Sequence, residues 1–166
     1  MLPLNIVLHQ PEIPSNTGNI ARTCLATGSR LHLIKPLGFS IDDRQLKRAG
    51  LDYWHEVDVR LWESLDELFA ATAAESSRRF LFTTKSHRPY YTESFRPGDW
   101  FIFGRETKGL PESLLAENEP RCLTIPMSNA ARSLNLSVAV GIAVFEAHRQ
   151  FAASSLSSAE PARITS

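Results

Sequence analysis

Three polar segments, each following an apolar run, carry the residue types that could do chemistry in this 166-residue chain. The first is Pro14-Ser15-Asn16-Thr17-Gly18-Asn19-Ile20-Ala21-Arg22. Asn16 or Thr17 can cap a helix there, and Gly18 lets backbone amides approach a ligand. A helix N-terminus suits an anion such as phosphate. Arg22, about one turn inside, adds a planar donor that stays charged. The second segment is Phe101-Ile102-Phe103-Gly104-Arg105-Glu106-Thr107-Lys108-Gly109-Leu110-Pro111. A buried strand ends at Gly104, and a polar loop with Glu106 and a second glycine follows. Parallel α/β sheets bind ligands beyond the carboxyl ends of their strands, and Gly104 would let a flat ring lie against the backbone. In the third segment, Leu123-Thr124-Ile125-Pro126-Met127 ends a strand, and Ser133-Leu134-Asn135-Leu136-Ser137 opens a helix. Ser133 is the expected cap, with Asn135 and Ser137 in the first turns, where polar groups can face a site. Each segment also has a plain structural reading: a capped helix start with a surface arginine, a strand-to-helix turn with a solvated glutamate, a serine cap. Capping accounts for Ser133 but not for the whole third cluster.

The elements that must position these segments alternate between strand and helix. Short β-favouring runs predict strands at 5–9, 31–34, 56–59, 80–84, 100–103 and 122–125. Helices are expected at 18–27, stopped by Gly28, at 43–49, stopped by Gly50, at 64–74, at 112–116 behind Pro111, and at 133–150. Such alternation predicts an α/β fold with a parallel sheet and helices on both faces. Residues 1–151 read as one domain, and 152–166, small and polar, as a disordered tail. The last helix carries two apolar stripes: Leu134, Val138, Ile142 and Phe145, and Leu136, Val140, Ala143, Val144 and Ala147. It therefore needs cover on two sides. A sheet supplies one; a second subunit, or the rest of the monomer around a central helix, supplies the other.

Composition narrows the classes further. Hydrophobic residues make up 43% and charged residues 22%, as in an ordinary globular domain. No run is long and apolar enough to cross a bilayer, and the first residues read as a strand rather than a signal peptide, so the expected compartment is the cytoplasm. Cys24 and Cys122 stand alone, as buried thiols of a reduced compartment. His9, His32, His55, His87 and His148 lack metal spacing, and no metal is expected. Net charge is zero, so nucleic-acid binding would need a local patch. Candidates are Arg44, Lys47 and Arg48 on the short helix, and Lys85, Arg88 and Arg132 in loops. Tyr53 and Trp54 are candidates for stacking on a base. A solvated charged face and half-buried aromatics are the plainer alternative.

Taken together and in order, the stretches Asn16-x-Gly18-Asn19-x-x-Arg22, Phe103-Gly104-x-Glu106-x-x-Gly109-Leu110-Pro111 and Ile125-Pro126-Met127 with Ser133-Leu134-Asn135-Leu136-Ser137 resemble the three motifs of the SPOUT methyltransferases. They span most of the chain. The opening Asn5-Ile6-Val7-Leu8, the run from Pro11 to Asn19 and the block Arg48-Ala49-Gly50-Leu51-Asp52-Tyr53 resemble the branch that methylates the ribose 2'-oxygen of a tRNA wobble nucleotide, cytidine or uridine. The resemblance implies a C-terminal part threaded into a deep trefoil knot, which composition and spacing do not suggest. It also implies a homodimer, a tRNA partner, and S-adenosyl-L-methionine as cofactor with S-adenosyl-L-homocysteine as product. Its contacts carry over to Phe82, Thr83, Gly104, Ile125, Met127 and Ser133. Phe82 stands where related proteins often have an aliphatic residue. By the resemblance Arg22 is the candidate to handle the acceptor oxygen; because a guanidinium is almost always charged, it reads as phosphate anchor and stabiliser of charge on the attacking oxygen rather than as a base, with Asn16, Glu106, Ser133 and Asn135 organising the pocket. Alternatives are a SPOUT enzyme acting on another tRNA or rRNA site, a catalytically silent RNA-binding relative, and a flavodoxin-like FMN carrier using Ser15 to Asn19 as a phosphate loop.

Overall fold

The structure, a computed structural model, describes residues 3–41 and 51–157. Its elements run β1 (Asn5–His9), α1 (Pro14–Thr27), β2 (Arg30–Ile34), a 3-10 turn (Leu51–Glu56), β3 (Val59–Trp62), α2 (Leu65–Ala71), a 3-10 turn (Ala73–Arg78), β4 (Arg79–Phe82), β5 (Trp100–Phe103), α3 (Glu112–Glu117), β6 (Cys122–Leu123) and α4 (Leu136–Ser157). The six strands form one sheet in the order β3-β2-β1-β5-β4-β6, and every pairing is parallel.

The central strands β1 and β5 are buried along their whole length, which demands cover on both faces. Ile6, Leu8 and Phe101 pack with Ile20, Ala21 and Cys24 of α1 and with Val140, Ala143 and Val144 of α4. Val7 and Ile102 point the other way, onto Leu65 and Leu68 of α2, with Leu114 and Leu115 of α3 beside them. Helices thus cover both faces, as the alternation predicted. The winding direction reverses between β1 and β5, and such a switch point opens a crevice beyond the strand ends.

Several boundaries differ from the sequence reading: the helix expected at 64–74 ends at Ala71, the strand expected at 80–84 runs Arg79–Phe82, and the one expected at 122–125 stops at Leu123. The third strand lies at Val59–Trp62, not 56–59, because 51–56 close into a 3-10 turn and Leu31 pairs with Val59. Helix α1 begins one turn early, at Pro14: Ile13 is its N-cap, and proline at the first position loses no needed N–H. Asn16 and Thr17 are consequently buried inside the first turn and cap nothing. At α4 the cap is Asn135 rather than Ser133; Asn135 Oδ1 accepts from the Ser137 N–H at 2.9 Å. The same helix runs six residues past the expected boundary at 151. Ala152 and Ala153 favour helix, and the Ser154 and Ser155 hydroxyls bond back to the Gln150 and Phe151 carbonyls at 3.0 and 2.9 Å. The expected helix at 43–49, with Arg44, Lys47 and Arg48, lies outside the described residues, as does 158–166.

Polar groups, among them Asn5, His32 and Asp99, are also buried at the far, amino-terminal side of the sheet. His32 is 2% exposed and lies between the rings of Trp62 and Trp100. Its Nδ1 accepts from Trp62 Nε1 at 3.1 Å, so Nε2 carries the proton and donates to Asn5 Oδ1 at 3.3 Å. Burial, reinforced by the Arg60 charge, pushes its pKa down to about 4.

Candidate active site

A cavity of about 610 Å³ opens at the carboxyl ends of β4, β5 and β6. Three stretches meet there: the start of α1, the loop after β5, and the segment from β6 into α4.

The loop after β5 folds back on itself. Arg105 and Gly109 exchange backbone hydrogen bonds at 3.2 and 2.9 Å, and Gly109 takes a left-handed φ of 68°. Gly104 lies beneath this turn. A Cβ on it would sit 2.1 Å from the Gly109 carbonyl carbon and 2.2 Å from the Leu110 nitrogen. The sequence reading gave Gly104 the task of leaving room for a ligand ring. The structure corrects that reason: the missing side chain makes room for the chain's own backbone.

Glu106 binds this loop to α1. Its carboxylate accepts from the backbone N–H of Glu12 at 2.8 Å, from that of Ile13 at 3.1 Å, and from Asn16 Nδ2 at 3.1 Å. Asn16 Oδ1 in turn accepts from Asn135 Nδ2 at 2.9 Å, and Asn135 Oδ1 accepts from Ser137. A carboxylate that can only accept fixes one end of the relay and a backbone N–H that can only donate fixes the other, so the orientation of both amides follows. Hydrogen bonds to a charged group contribute about 1.5–3 kcal/mol each. A second carboxylate works in the opposite direction: Glu12 accepts from the Thr107 N–H at 3.0 Å and from Thr107 Oγ1 at 2.8 Å. Those bonds hold the Glu12 carboxyl below the usual carboxylate range. Arg105 donates to the Gln10 side chain alongside.

Apolar side chains line the cavity as well. Phe82, stacked on Phe103 at 4.7 Å, joins Ile125, Met127, Leu134, Leu136 and Ala139. Thr83 is fixed through its N–H to the Leu123 carbonyl at 2.9 Å.

Of the residues singled out in the sequence, Asn16, Glu106, Asn135, Phe82, Thr83, Gly104, Ile125, Met127, Ser133, Lys85 and Arg132 all line this one cavity. Lys85 is paired with Glu112 at 2.6 Å, and Arg132 is exposed. Arg22 does not line it. It stands on the exposed side of α1, about two turns past Pro14 rather than one turn from the helix start. Arg88 is engaged by the Pro120 carbonyl and the Glu93 carboxylate, and Trp54 packs against the core. Sequence reasoning missed Glu12, Ile13, Arg105 and Lys108. The charged run Arg105-Glu106-Thr107-Lys108 was a signal for two of them; nothing local marked Glu12. The flavin alternative loses its basis, since Asn16, Thr17 and Gly18 are buried in α1 rather than set in an open phosphate loop.

The chain is similar to a tRNA (cytidine(34)-2'-O)-methyltransferase of Burkholderia ambifaria, 49% identical over 148 residues that cover 88% of this chain and 94% of the relative. Among solved structures, one that concerns the 2-OH methylation of C/U34 on tRNA superposes with a TM-score of 0.86 at 48% identity, covering 92% of this chain and 98% of the other. An AdoMet-bound rRNA methyltransferase from Sinorhizobium meliloti superposes at 0.75 and 25% identity, over 88% of this chain and 56% of that one. Residues 3–145, a range that includes the start of α1, the loop after β5 and the first part of α4, match the SpoU rRNA Methylase family, and on that match the chain belongs to it.

Proposed function

We propose that this protein transfers a methyl group from S-adenosylmethionine to the ribose 2'-hydroxyl of nucleotide 34, cytidine or uridine, of tRNA. The observation that carries the reading is the convergence of three distant segments on one cavity, where Glu106, Asn16 and Asn135 are joined by hydrogen bonds beside apolar side chains. At about 610 Å³ the cavity falls within the ordinary range for nucleotide-sized ligands. Near-full-length similarity to an enzyme of this specificity supports the choice of substrate.

In this reading the residues around Phe82, Thr83, Gly104, Ile125, Met127 and Ser133 hold the cofactor. When bound, S-adenosylmethionine supplies a methyl already activated on a sulfonium, so no metal takes part. The acceptor hydroxyl is a weak acid, and this chain's task is to hold its oxygen in line and stabilise charge as its proton leaves. Asn16, Glu106 and Asn135 form the rigid polar wall against which the acceptor is oriented. Arg22, outside the cavity wall, is assigned to the RNA: it anchors phosphate and stabilises charge on the attacking oxygen, a role suited to a guanidinium that stays protonated. Lys85 and Arg132 at the rim, with Arg44, Lys47 and Arg48, are assigned to the tRNA backbone.

The active form in this proposal is a cytoplasmic homodimer. On α4, Val140, Ala143, Val144 and Ala147 are fully buried, whereas Val138 and Phe145 are 50% and 53% exposed, an apolar stripe suited to a second copy. The C-terminal threading into a trefoil knot is also part of the reading.

Mass mapping of ribose methylation after incubating the protein with cofactor and unmodified tRNA tests the reaction: a new methyl at nucleotide 34 is expected, and its absence refutes the reading. Arg22→Ala should lower single-turnover transfer roughly a hundredfold with cofactor affinity and circular dichroism nearly unchanged. Arg22→Lys should recover little, and near-normal transfer by Arg22→Ala would remove Arg22 from the chemistry.

A further inference from the structure

The cavity wall contributed by 105–110 is a tight turn with an exposed tip at Thr107 and Lys108. Its base is closed by the Arg105–Gly109 backbone pair and buried on Gly104. Its tip has a different attachment: both the N–H and the hydroxyl of Thr107 donate to the Glu12 carboxylate. Glu12 itself does not line the cavity. It braces the turn from behind, and its own backbone is held on two sides. Glu106 takes its N–H at 2.8 Å, and Gly38 packs so closely that a Cβ there would lie 2.8 Å from the Glu12 Cα. The two carboxylates therefore form a reciprocal lock, each accepting from the backbone of the segment that carries the other.

We infer that Glu12 is a positioning residue for the methyl transfer: by fixing the tip of the 105–110 turn it holds the Glu106 carboxylate, and through it Asn16 and Asn135, in the geometry the acceptor ribose needs. The inference rests on the proposed function for its kinetic arm. The reason an exposed hydrogen bond matters here is leverage. Glu106 reaches α1 through three donors placed by residues 12–16, and Glu12 is the tether that returns from that segment to the tip of the turn. A wall displaced by about 1 Å can cost on the order of a hundredfold in rate without touching the reacting atoms.

The test uses the full-length protein. Glu12→Ala should raise amide exchange at Thr107 about tenfold, lower kcat for methyl transfer about tenfold, and leave the Kd for S-adenosylmethionine within threefold and the melting temperature nearly unchanged. Glu12→Gln, which keeps an acceptor for the Thr107 N–H, should restore most of the exchange protection and of kcat. Adding Thr107→Val to Glu12→Ala should cost little more than Glu12→Ala alone. Unchanged exchange at Thr107, additive effects of the two substitutions, or a joint loss of melting temperature, cofactor affinity and kcat would each overturn the assignment. If the wild-type protein transfers no methyl to tRNA, the proposed function fails, while the exchange arm still decides whether Glu12 braces the turn.

Discussion

Gly104→Ala separates two reasons for a glycine at the mouth of a binding site. The added Cβ would meet the Gly109 carbonyl carbon at 2.1 Å, the Leu110 nitrogen at 2.2 Å and the Gly109 Cα at 2.6 Å. All three are backbone atoms, so no side-chain rotation relieves the contact. Reaching ordinary van der Waals separation requires the 109–110 backbone to retreat by about 1.3 Å, which strains the mutual Arg105–Gly109 hydrogen bonds. Overpacking of this kind costs about 1–3 kcal/mol when side chains can adjust, and against backbone roughly 2–4 kcal/mol is expected. In a chain of this size that lowers the melting temperature by roughly 5–12 °C. Thermal unfolding of the ligand-free protein is the assay, with cofactor calorimetry in parallel. Gly109→Ala serves as the comparison: a Cβ there meets nothing within 4 Å, and only its left-handed φ of 68° opposes the change, at about 1 kcal/mol. A Gly104→Ala protein that melts within 2 °C of wild type but no longer binds cofactor would refute the reasoning and restore the ligand-space explanation.

Two other outcomes can be checked without substrate. His32 titrates near 4 in the folded protein against an ordinary value of 6.5, so its neutral form contributes stability that is complete above pH 6.5 and lost as pH falls toward 4, by about 3 kcal/mol. Urea midpoints from pH 8 to 4 should fall in that window and fall less in His32→Gln; equal slopes would contradict the assignment. Phe145→Glu, on the open stripe of α4, should convert a dimer to a monomer in sedimentation with the circular dichroism retained, whereas Val144→Glu, at a fully buried position, should unfold the chain. A wild-type protein that sediments as a monomer at micromolar concentration would remove the dimer from the reading.

The parts of the fold that were legible are those whose signal is local. β1 and β5 were placed to the residue because each is an uninterrupted apolar run bounded by turn formers. β3 was displaced because it is an edge strand with Arg60 and Leu61 exposed, and its weak pattern lost to the preceding turn. The start of α1 was missed because Pro14 and Gly18 read as loop residues, although proline is at home in a first turn. The site divided along the same line. Its members were visible as three polar clusters, but the bonds among them were not: Asn16 meets Glu106 across 90 positions and Asn135 across 119, and no residue type or spacing encodes such a meeting. The reason given for Gly104 failed for the same cause, since the atoms it makes room for come from the far side of a turn.

The relay from Glu106 through Asn16 to Asn135 has a consequence for the history of each newly made molecule. Its first member leaves the ribosome long before its last, which sits at the head of the final helix. At translation speeds of about 5–20 residues per second, the 119 positions between Asn16 and Asn135 amount to roughly 6–24 seconds in which Asn16 has no partner from α4. The end of the wall that joins Asn16 to Asn135 therefore closes late, when the head of α4 meets α1. A chain interrupted before Asn135 lacks that end of the wall whatever its other elements have achieved, so the complete relay reports that the head of α4 has been made and docked.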